Sequence, residues 1–438
     1  MVNKKPKDRK AKRKPVKQGH RSNDTEALFY QAHQRFAAAI AASNYKEALQ
    51  AVQLAIKLNP TNFSLLCDLA LCQMRCGEYE SSRQTYLKIY QLPDELKNQI
   101  TNTTWLDGLT EVCGWLGRDE DVRRYGYQSL TEADVKFSTG QQWQIPDSAP
   151  PAFDVSRPEQ NIIAFSLFGA FPRYCEAGVM NAQLAPKLYP GWTCRFYLDN
   201  SVPDHVVSRL KAAGAQVVDM SATDTAVNSS SINIPPVMWR FLVMDDKSVS
   251  RFMLRDCDAL LSERDAAAVD EWLASDKWFH TMRDYFTHTE LILAGLWGGC
   301  QGIFPPVAEL MKLYMQTYDG PARYVDQYFL RKMIWPTLRN SVLCHDELFG
   351  FHDARPFPIH PPLSWDKAHF HVGSNASYQM IGGETSQQTG TRQKIIFREQ
   401  GKPDLIYDFP VTGKSWRLSI PNFMIKAIEN GTLSVMLA

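Results

Sequence analysis

The sequence predicts an all-α repeat module, then an α/β domain on a mainly parallel mixed sheet flanked by helices, then a small β-rich tail. Three observations predict it. Apolar and small residues recur at spacings of three and four between residues 25 and 131, with an internal offset of 34 residues. From Ile162 onward, strand-like and helix-like runs alternate, a pattern that implies a largely parallel sheet with ligand at the carboxyl ends of its strands. Short β-type runs at 394–398, 405–408 and 415–420, with a helix to about 430, close the chain.

The helical part carries the repeat. Tyr45, Ala48, Val52, Ala55 and Pro60 are matched 34 residues later by Tyr79, Ser82, Tyr86, Ile89 and, one residue early, Pro93. Gly77 stands in the turn before Tyr79, and Leu66, Leu69 and Ala70 lie on the helix preceding it. This period resembles the tetratricopeptide repeat, in which small residues let antiparallel helix pairs stack. A third, degenerate unit spans 105–130 with its turn near Gly117; a generic helical bundle is the alternative. Such a module has no chemistry of its own and presents a surface to a peptide, an acceptor or a second copy of itself.

Composition bounds the rest. At 438 residues, with 22% charged and 44% hydrophobic residues, the chain is an ordinary globular protein of two or three domains. Its net charge of +1 hides a basic stretch: residues 1–22 hold ten Lys/Arg against the single Asp8. That stretch is expected to be disordered and fits a localisation signal, a tether to an anionic surface, or a solubilising tail. The remainder is net negative, which excludes a broad nucleic-acid binder. Nine cysteines without a Cys-x-x-Cys pair argue for a reducing, cytoplasmic setting. No signal segment and no membrane span is expected.

The expected domains are a tail over 1–22, helical repeats over 23–137, a Pro-rich linker over 138–159, the α/β domain over 160–376 and the extension over 377–438. Within the α/β domain, strands are predicted at 162–167, 193–198 and 216–220, with helices at 176–188 and 204–213. Asp199 falls at a strand's carboxyl end. No Gly-x-Gly-x-x-Gly and no Walker loop occurs, which weakens dehydrogenase and P-loop readings. His345-Asp346 and His352-Asp353 sit among Gly, Phe and Pro, a loop setting unlike the helices of a His-Asp phosphohydrolase.

The active site is expected over 248–302. An apolar strand, Arg251-Phe-Met-Leu254, opens onto Arg255-Asp256-Cys257-Asp258. Two carboxylates one residue apart at the mouth of a buried strand need a positive partner, and a hard divalent cation is an economical one. A helix over 265–274 follows, then a second strand over 278–282 ending in Arg283-Asp284, then Trp297-Gly298-Gly299. Small residues there would let backbone approach a ligand.

This arrangement resembles the metal site of nucleotide-sugar-dependent glycosyltransferases of the GT-A fold, and is most similar to glycosyltransferase family 8, over about half the chain. The resemblance implies a Rossmann-like GT-A catalytic domain and a retaining transfer from a nucleoside-diphosphate sugar to a protein or glycan acceptor. It implies Mn²⁺ or Mg²⁺ on Asp256, Asp258 and His371. Arg240, on a helix over 235–245, matches the family's donor-binding arginine, and Arg255, Asp199, Trp297, Gly298 and Gly299 are further donor-side candidates. Asp326 and Gln327 resemble the family's Asp-Gln helix start, whose side chains meet the transferred sugar. Asp284 is placed to hold sugar hydroxyls or to deprotonate an acceptor. His369 and His371 resemble the late His–Gly segment, with His371, followed by Gly373, the better match; the Lys-Pro-Trp that normally follows is missing. The alternative is a non-catalytic repeat scaffold carrying a degenerate transferase fold.

Overall fold

The computed structural model describes residues 20–97, 105–221, 234–365 and 370–438, with the backbone alone over 20–25. Residues 1–19 of the basic tail expected over 1–22, and His369, therefore lie outside the described residues, while 20–22 begin a helix. The chain divides into two compact units, Met1–Tyr125 and Gly126–Ala438. The division falls twelve residues before the expected limit at 137, inside a helix over Asp119–Phe137.

The first unit is helical: α1 (His20–Ala41), α2 (Tyr45–Leu58), α3 (Phe63–Arg75), α4 (Tyr79–Tyr90), a single turn α5 (Asp94–Lys97), α6 (Trp105–Trp115), and the start of α7 (Asp119–Phe137). The 34-residue offset appears as α2 and α4 beginning on equivalent tyrosines. Asn44 and Asn62 cap α2 and α3 by accepting the amides of Glu47 and Leu65, which satisfies donors a helix start leaves open. Gly77 and Gly117 take φ of +81° and +66° in the turns, a conformation only glycine adopts without penalty. The repeat's matched positions Ala48, Val52, Ala55, Ser82, Tyr86 and Ile89 are all buried. A side chain at Gly108 would meet the Tyr86 ring, its Cβ 2.5 Å from Cζ, so the small residue is what lets α6 approach α4.

The second unit is built on a seven-stranded mixed sheet of β1 (Asn161–Leu167), β2 (Thr193–Leu198), β3 (Gln216–Asp219), β4 (Arg251–Leu254), β5 (Phe279–Arg283), β6 (Trp297–Cys300) and β7 (Val342–Asp346). Their order is β3-β2-β1-β4-β6-β5-β7. Neighbours are parallel except where β6 pairs antiparallel with both β4 and β5. The strands β1, β4, β5 and β7 are buried almost throughout, as expected for a sheet covered on both faces. Helices α8 (Pro172–Leu188), α9 (Asp204–Ala212), α10 (Glu263–Leu273) and α11 (Val307–Met315) connect them. His345-Asp346, expected in a loop, ends β7 instead.

Two helical segments carry the predicted residues Arg240, Asp326 and Gln327. The segment over Pro236–Asp245 is a 3₁₀ helix. The other begins as α12 (Val325–Phe329), widens into a π turn over Leu330–Ile334, and resumes as α13 (Trp335–Leu338). Pro336 lacks the amide that would bond back to Lys332, a physical reason for the ladder to widen there.

The Pro-rich stretch over 138–159 is not a free linker. Its Trp143 amide donates to Thr337 at 2.9 Å, its Ser148 carbonyl accepts the Trp278 indole at 3.1 Å, and its Pro151 carbonyl accepts Arg251 at 2.7 Å. These bonds lay it along the second unit. The residues beyond 377 form β8 (Met380–Glu384), β9 (Arg392–Glu399), β10 (Leu405–Pro410), β11 (Ser415–Ser419), α14 (Asn422–Glu429) and β12 (Leu433–Leu437), in two small antiparallel sheets. Tyr407 of β10 donates to the buried Glu176 of α8 at 2.5 Å, which Arg209 of α9 grips through both oxygens. The extension is thereby anchored to the second unit.

Candidate active site

The carboxyl end of β4 is where the charged residues converge. Beyond β4 the chain turns at Cys257 and Asp258; Cys257 points inward, its thiol 3.3 Å from the Ser166 carbonyl, while Asp256 lies close enough to Asp258 to disfavour its charge. Each acid meets an arginine through one oxygen: Asp256 Oδ1 pairs with Arg240, and Asp258 Oδ2 with Arg173 at 2.6 Å. The other oxygen of Asp256 faces Gly295, where an added Cβ would lie 2.6 Å from the carboxylate carbon. Asp256 remains 47% exposed at its side chain, while Arg240 is buried.

Arg240 is the hub. Its Nη1 donates to Asp256 and, at 2.9 Å, to the Arg255 carbonyl; its Nη2 donates to Asp326 at 3.1 Å. Its Nε is buried with no partner among the described residues. Burial works against its charge, yet Asp256 and Asp326 hold its pKa above the ordinary value. Asp326 also accepts the amide of Gln327 at 2.9 Å, and Gln327 Oε1 accepts the Ala294 amide at 3.2 Å. The start of α12 is thus tied to the loop carrying Gly295. Burial, with Asp256 nearby, raises the Asp326 pKa against the pull of Arg240. Burial and Asp256 likewise raise that of Asp258, despite Arg173. Three acids and two arginines meet here, and the acids carry one charge more.

Other predicted residues are placed differently. Arg255 turns inward and grips Asp265 through Nε at 3.1 Å and Nη2 at 2.9 Å; it anchors α10 and does not face the site. Trp297 is fully buried against Phe241 and Phe252, so it offers no platform to a ligand. Gly298 and Gly299 are packing positions: an added Cβ would sit 2.6 Å from the Phe252 carbonyl oxygen, or 2.5 Å from the Phe279 ring. Their small size admits the Phe252 backbone at Gly298 and the Phe279 ring at Gly299, and not a donor. Asp199 follows β2 and closes its own turn, accepting the Ser201 amide at 3.0 Å and the Ser201 hydroxyl.

Asp284 and His371 form a second group, with His288, which the sequence reading missed. Among the described residues, this is the one set of three candidate ligands whose donor atoms all lie within 4.8 Å of one another; Asp256, Asp258 and His371 make no such set. Both Asp284 oxygens accept the Val372 amide at 3.0 Å, and Oδ2 accepts Arg264 at 3.2 Å. Burial still pushes the Asp284 pKa up to about 6. A signal for His288 existed: it stands four residues after Asp284, within reach of the same turn.

No family model matches the chain, and no curated protein matches it. Among solved structures, it is similar to an O-GlcNAc transferase mutant from Thermobaculum terrenum, at 17% identity and a TM-score of 0.28, over 46% of this chain and 42% of that one. It is also similar to glucosyl-3-phosphoglycerate synthase of M. tuberculosis, at 14% identity and a TM-score of 0.26, over 54% of this chain and 77% of that one. A structure of the Mycobacterium tuberculosis enzyme with Mn²⁺, uridine diphosphate and phosphoglyceric acid gives 12% identity and a TM-score of 0.29, over 65% and 98%. The chain thus spans about two fifths of the O-GlcNAc transferase's length. These likenesses are too slight to bear on what the protein does. Among the described residues, no helix is long and apolar enough to cross a membrane.

Proposed function

We propose that this chain is a metal-dependent glycosyltransferase of GT-A-like fold, moving a sugar from a nucleoside-diphosphate sugar to a protein or glycan acceptor. The observation that carries the reading is the Asp256–Arg240–Asp326 cluster at the mouth of β4, with Asp258 close to Asp256 and Asp256 half-exposed. The mixed sheet, with β6 antiparallel beside the acidic strand, agrees with the resemblance to glycosyltransferase family 8.

The residues fit a hard cation. Asp256 and Asp258 each give one oxygen to an arginine and keep a second, and carboxylate oxygens suit Mn²⁺ or Mg²⁺. When bound, that ion supplies Lewis-acid neutralisation of a departing diphosphate. His371 belongs to the other group, so Asp256 and Asp258 are the protein ligands in this reading. Arg240 holds Asp256 in place and contributes a buried positive charge beside the leaving group. Asp326 and Gln327 position the donor sugar's hydroxyls from the start of α12. The helical repeats select the acceptor, and the basic tail adds attraction to anionic surfaces.

The two salt bridges favour a second reading, because Arg240 and Arg173 neutralise the acids without any cation. In it, the repeats act as a scaffold and the transferase fold has lost turnover. Hydrolysis of a panel of nucleotide sugars with Mn²⁺ separates the two. Release of a nucleoside diphosphate from one donor, lost in Asp256→Asn and Asp258→Asn, supports the transferase; no release from any donor supports the scaffold, and pyrophosphate release would indicate a nucleotidyl transferase.

A further inference from the structure

We propose that Asp284, His288 and His371 form a second cation site, built for a borderline-soft divalent ion such as Zn²⁺ and separate from the acids after β4. Two imidazoles and one carboxylate are a donor set that zinc takes and magnesium does not. This inference stands independently of the transferase reading.

The geometry is close to closed. Tetrahedral ligands at the zinc–nitrogen distance lie roughly 3.4 Å apart, and His288 Nδ1 is already 3.7 Å from Asp284 Oδ1. His288 Nδ1 accepts the backbone amide of Asp284 at 3.2 Å, so it carries a lone pair and not a proton. That lone pair now meets the Asp284 N–H, and an ion bound through Nδ1 would take the place of this amide bond. Of the neighbouring cations among the described residues, Arg264 meets the other oxygen of Asp284 and also Glu347, and Arg283 donates to the carbonyls of Glu290 and Leu291.

The surroundings resemble the outer shell of a built site. His371 Nδ1 lies 3.1 Å from the Val372 carbonyl; donating there leaves its Nε2 as the ligating nitrogen, the orientation that metal-bound histidines commonly show. Tyr285 stacks on the same imidazole at 4.0 Å and fixes its plane, while the His288 ring meets its edge at 4.9 Å. The Asp284 carboxylate is itself held by Val372 and Arg264.

An ion there would pin the segment starting at His371 to the turn after β5. That segment goes on to donate the Ala376 amide to the Asp258 carbonyl at 2.7 Å, so the site would brace the backbone frame of the first acidic site.

The test uses the full chain, stripped with chelator and then given Zn²⁺ or Co²⁺ alone. One equivalent is expected per chain, with a rise in melting temperature and a Co²⁺ visible spectrum of nitrogen–oxygen ligation. His288→Gln and His371→Asn should each weaken binding at least about 100-fold, at or beyond the upper end of what outer-shell substitutions cost; Asp256→Asn should leave it unchanged. Because a histidine variant could fold poorly, the stripped wild type provides a second reading. No rise in its melting temperature with Zn²⁺, or binding lost in Asp256→Asn and kept in His288→Gln, would overturn the proposal.

Discussion

Asp256 and Asp326, seventy residues apart in sequence, share one guanidinium: Arg240 donates Nη1 to the first and Nη2, at 3.1 Å, to the second. A loop acid and a helix-start acid are thereby held to a common point, with the exposed one facing outward.

Arg240→Met should expose the cost of that sharing. Asp326 would be left buried without its counter-charge, and removing one partner of a buried pair costs about 3–5 kcal/mol. Since the burial-raised pKa of Asp326 is held down by Arg240, the loss should grow as pH rises, because a raised folded pKa contributes stability only at low pH. Adding Asp326→Asn should restore part of it. Urea unfolding at two pH values checks both; strictly additive losses would contradict the coupling.

The glycines after Asp284 should separate by role. In Gly295→Ala the new methyl collides with the Asp256 carboxylate, a half-exposed group that can swing away. Stability should then change by less than about 1 kcal/mol, while Mn²⁺–nucleotide binding falls about tenfold, the equivalent of one charge-assisted hydrogen bond. In Gly298→Ala the methyl meets the Phe252 backbone, which cannot move, so stability should drop by about 1–3 kcal/mol. Parallel melts and nucleotide titrations of the two variants decide the matter.

Trp297→Ala should behave as a core mutation. The indole is fully buried between Phe241 and Phe252, and such a truncation costs about 3–5 kcal/mol. A weakened donor affinity with unchanged stability would return this residue to the binding site.

The buried histidine pair should make stability depend on pH. His280 Nε2 lies 2.8 Å from His345 Nδ1, and His345 Nε2 lies 3.2 Å from Glu271. Burial, then His345, drives the His280 pKa well below 6.5. The unfolded chain therefore binds a proton the folded chain refuses, and stability present above pH 6.5 is lost as pH falls. Each such imidazole adds a slope of about 1.4 kcal/mol per pH unit in that window. Denaturant melts from pH 7 to 5 should show it, with a shallower slope in His280→Gln.

The elements of this fold were largely legible because each is written in local periodicity. β1, β2 and α9 fall where alternation and helical spacing put them, and α2 and α4 start on the tyrosines of the repeat. Asp256 and Asp258 were legible as candidates because two acids at a strand mouth demand a positive partner, whereas Arg240 and Asp326 were candidates through the family resemblance alone. Which side chains meet was not legible. Arg173 reaches Asp258 from 85 positions away, and nothing local to either marks the pair. Trp297, Gly298 and Gly299 were read as ligand-facing because small residues by an aromatic fit that role. Only the insertion of β6 between β4 and β5 shows that they make room for Phe252 and Phe279. His371 was assigned to the wrong neighbours for a similar reason: its group is completed by His288, in a turn whose closure depends on Val372 bonding Asp284.

The central claim is that Asp256 and Asp258 converge on a hard cation that receives a diphosphate. Titration of Mn²⁺, followed by its paramagnetic resonance in the presence of nucleoside diphosphates, measures this directly. The account predicts nucleotide-dependent Mn²⁺ binding that disappears in Asp256→Asn and Asp258→Asn and survives in His288→Gln. Mn²⁺ binding untouched by both aspartate substitutions would contradict it.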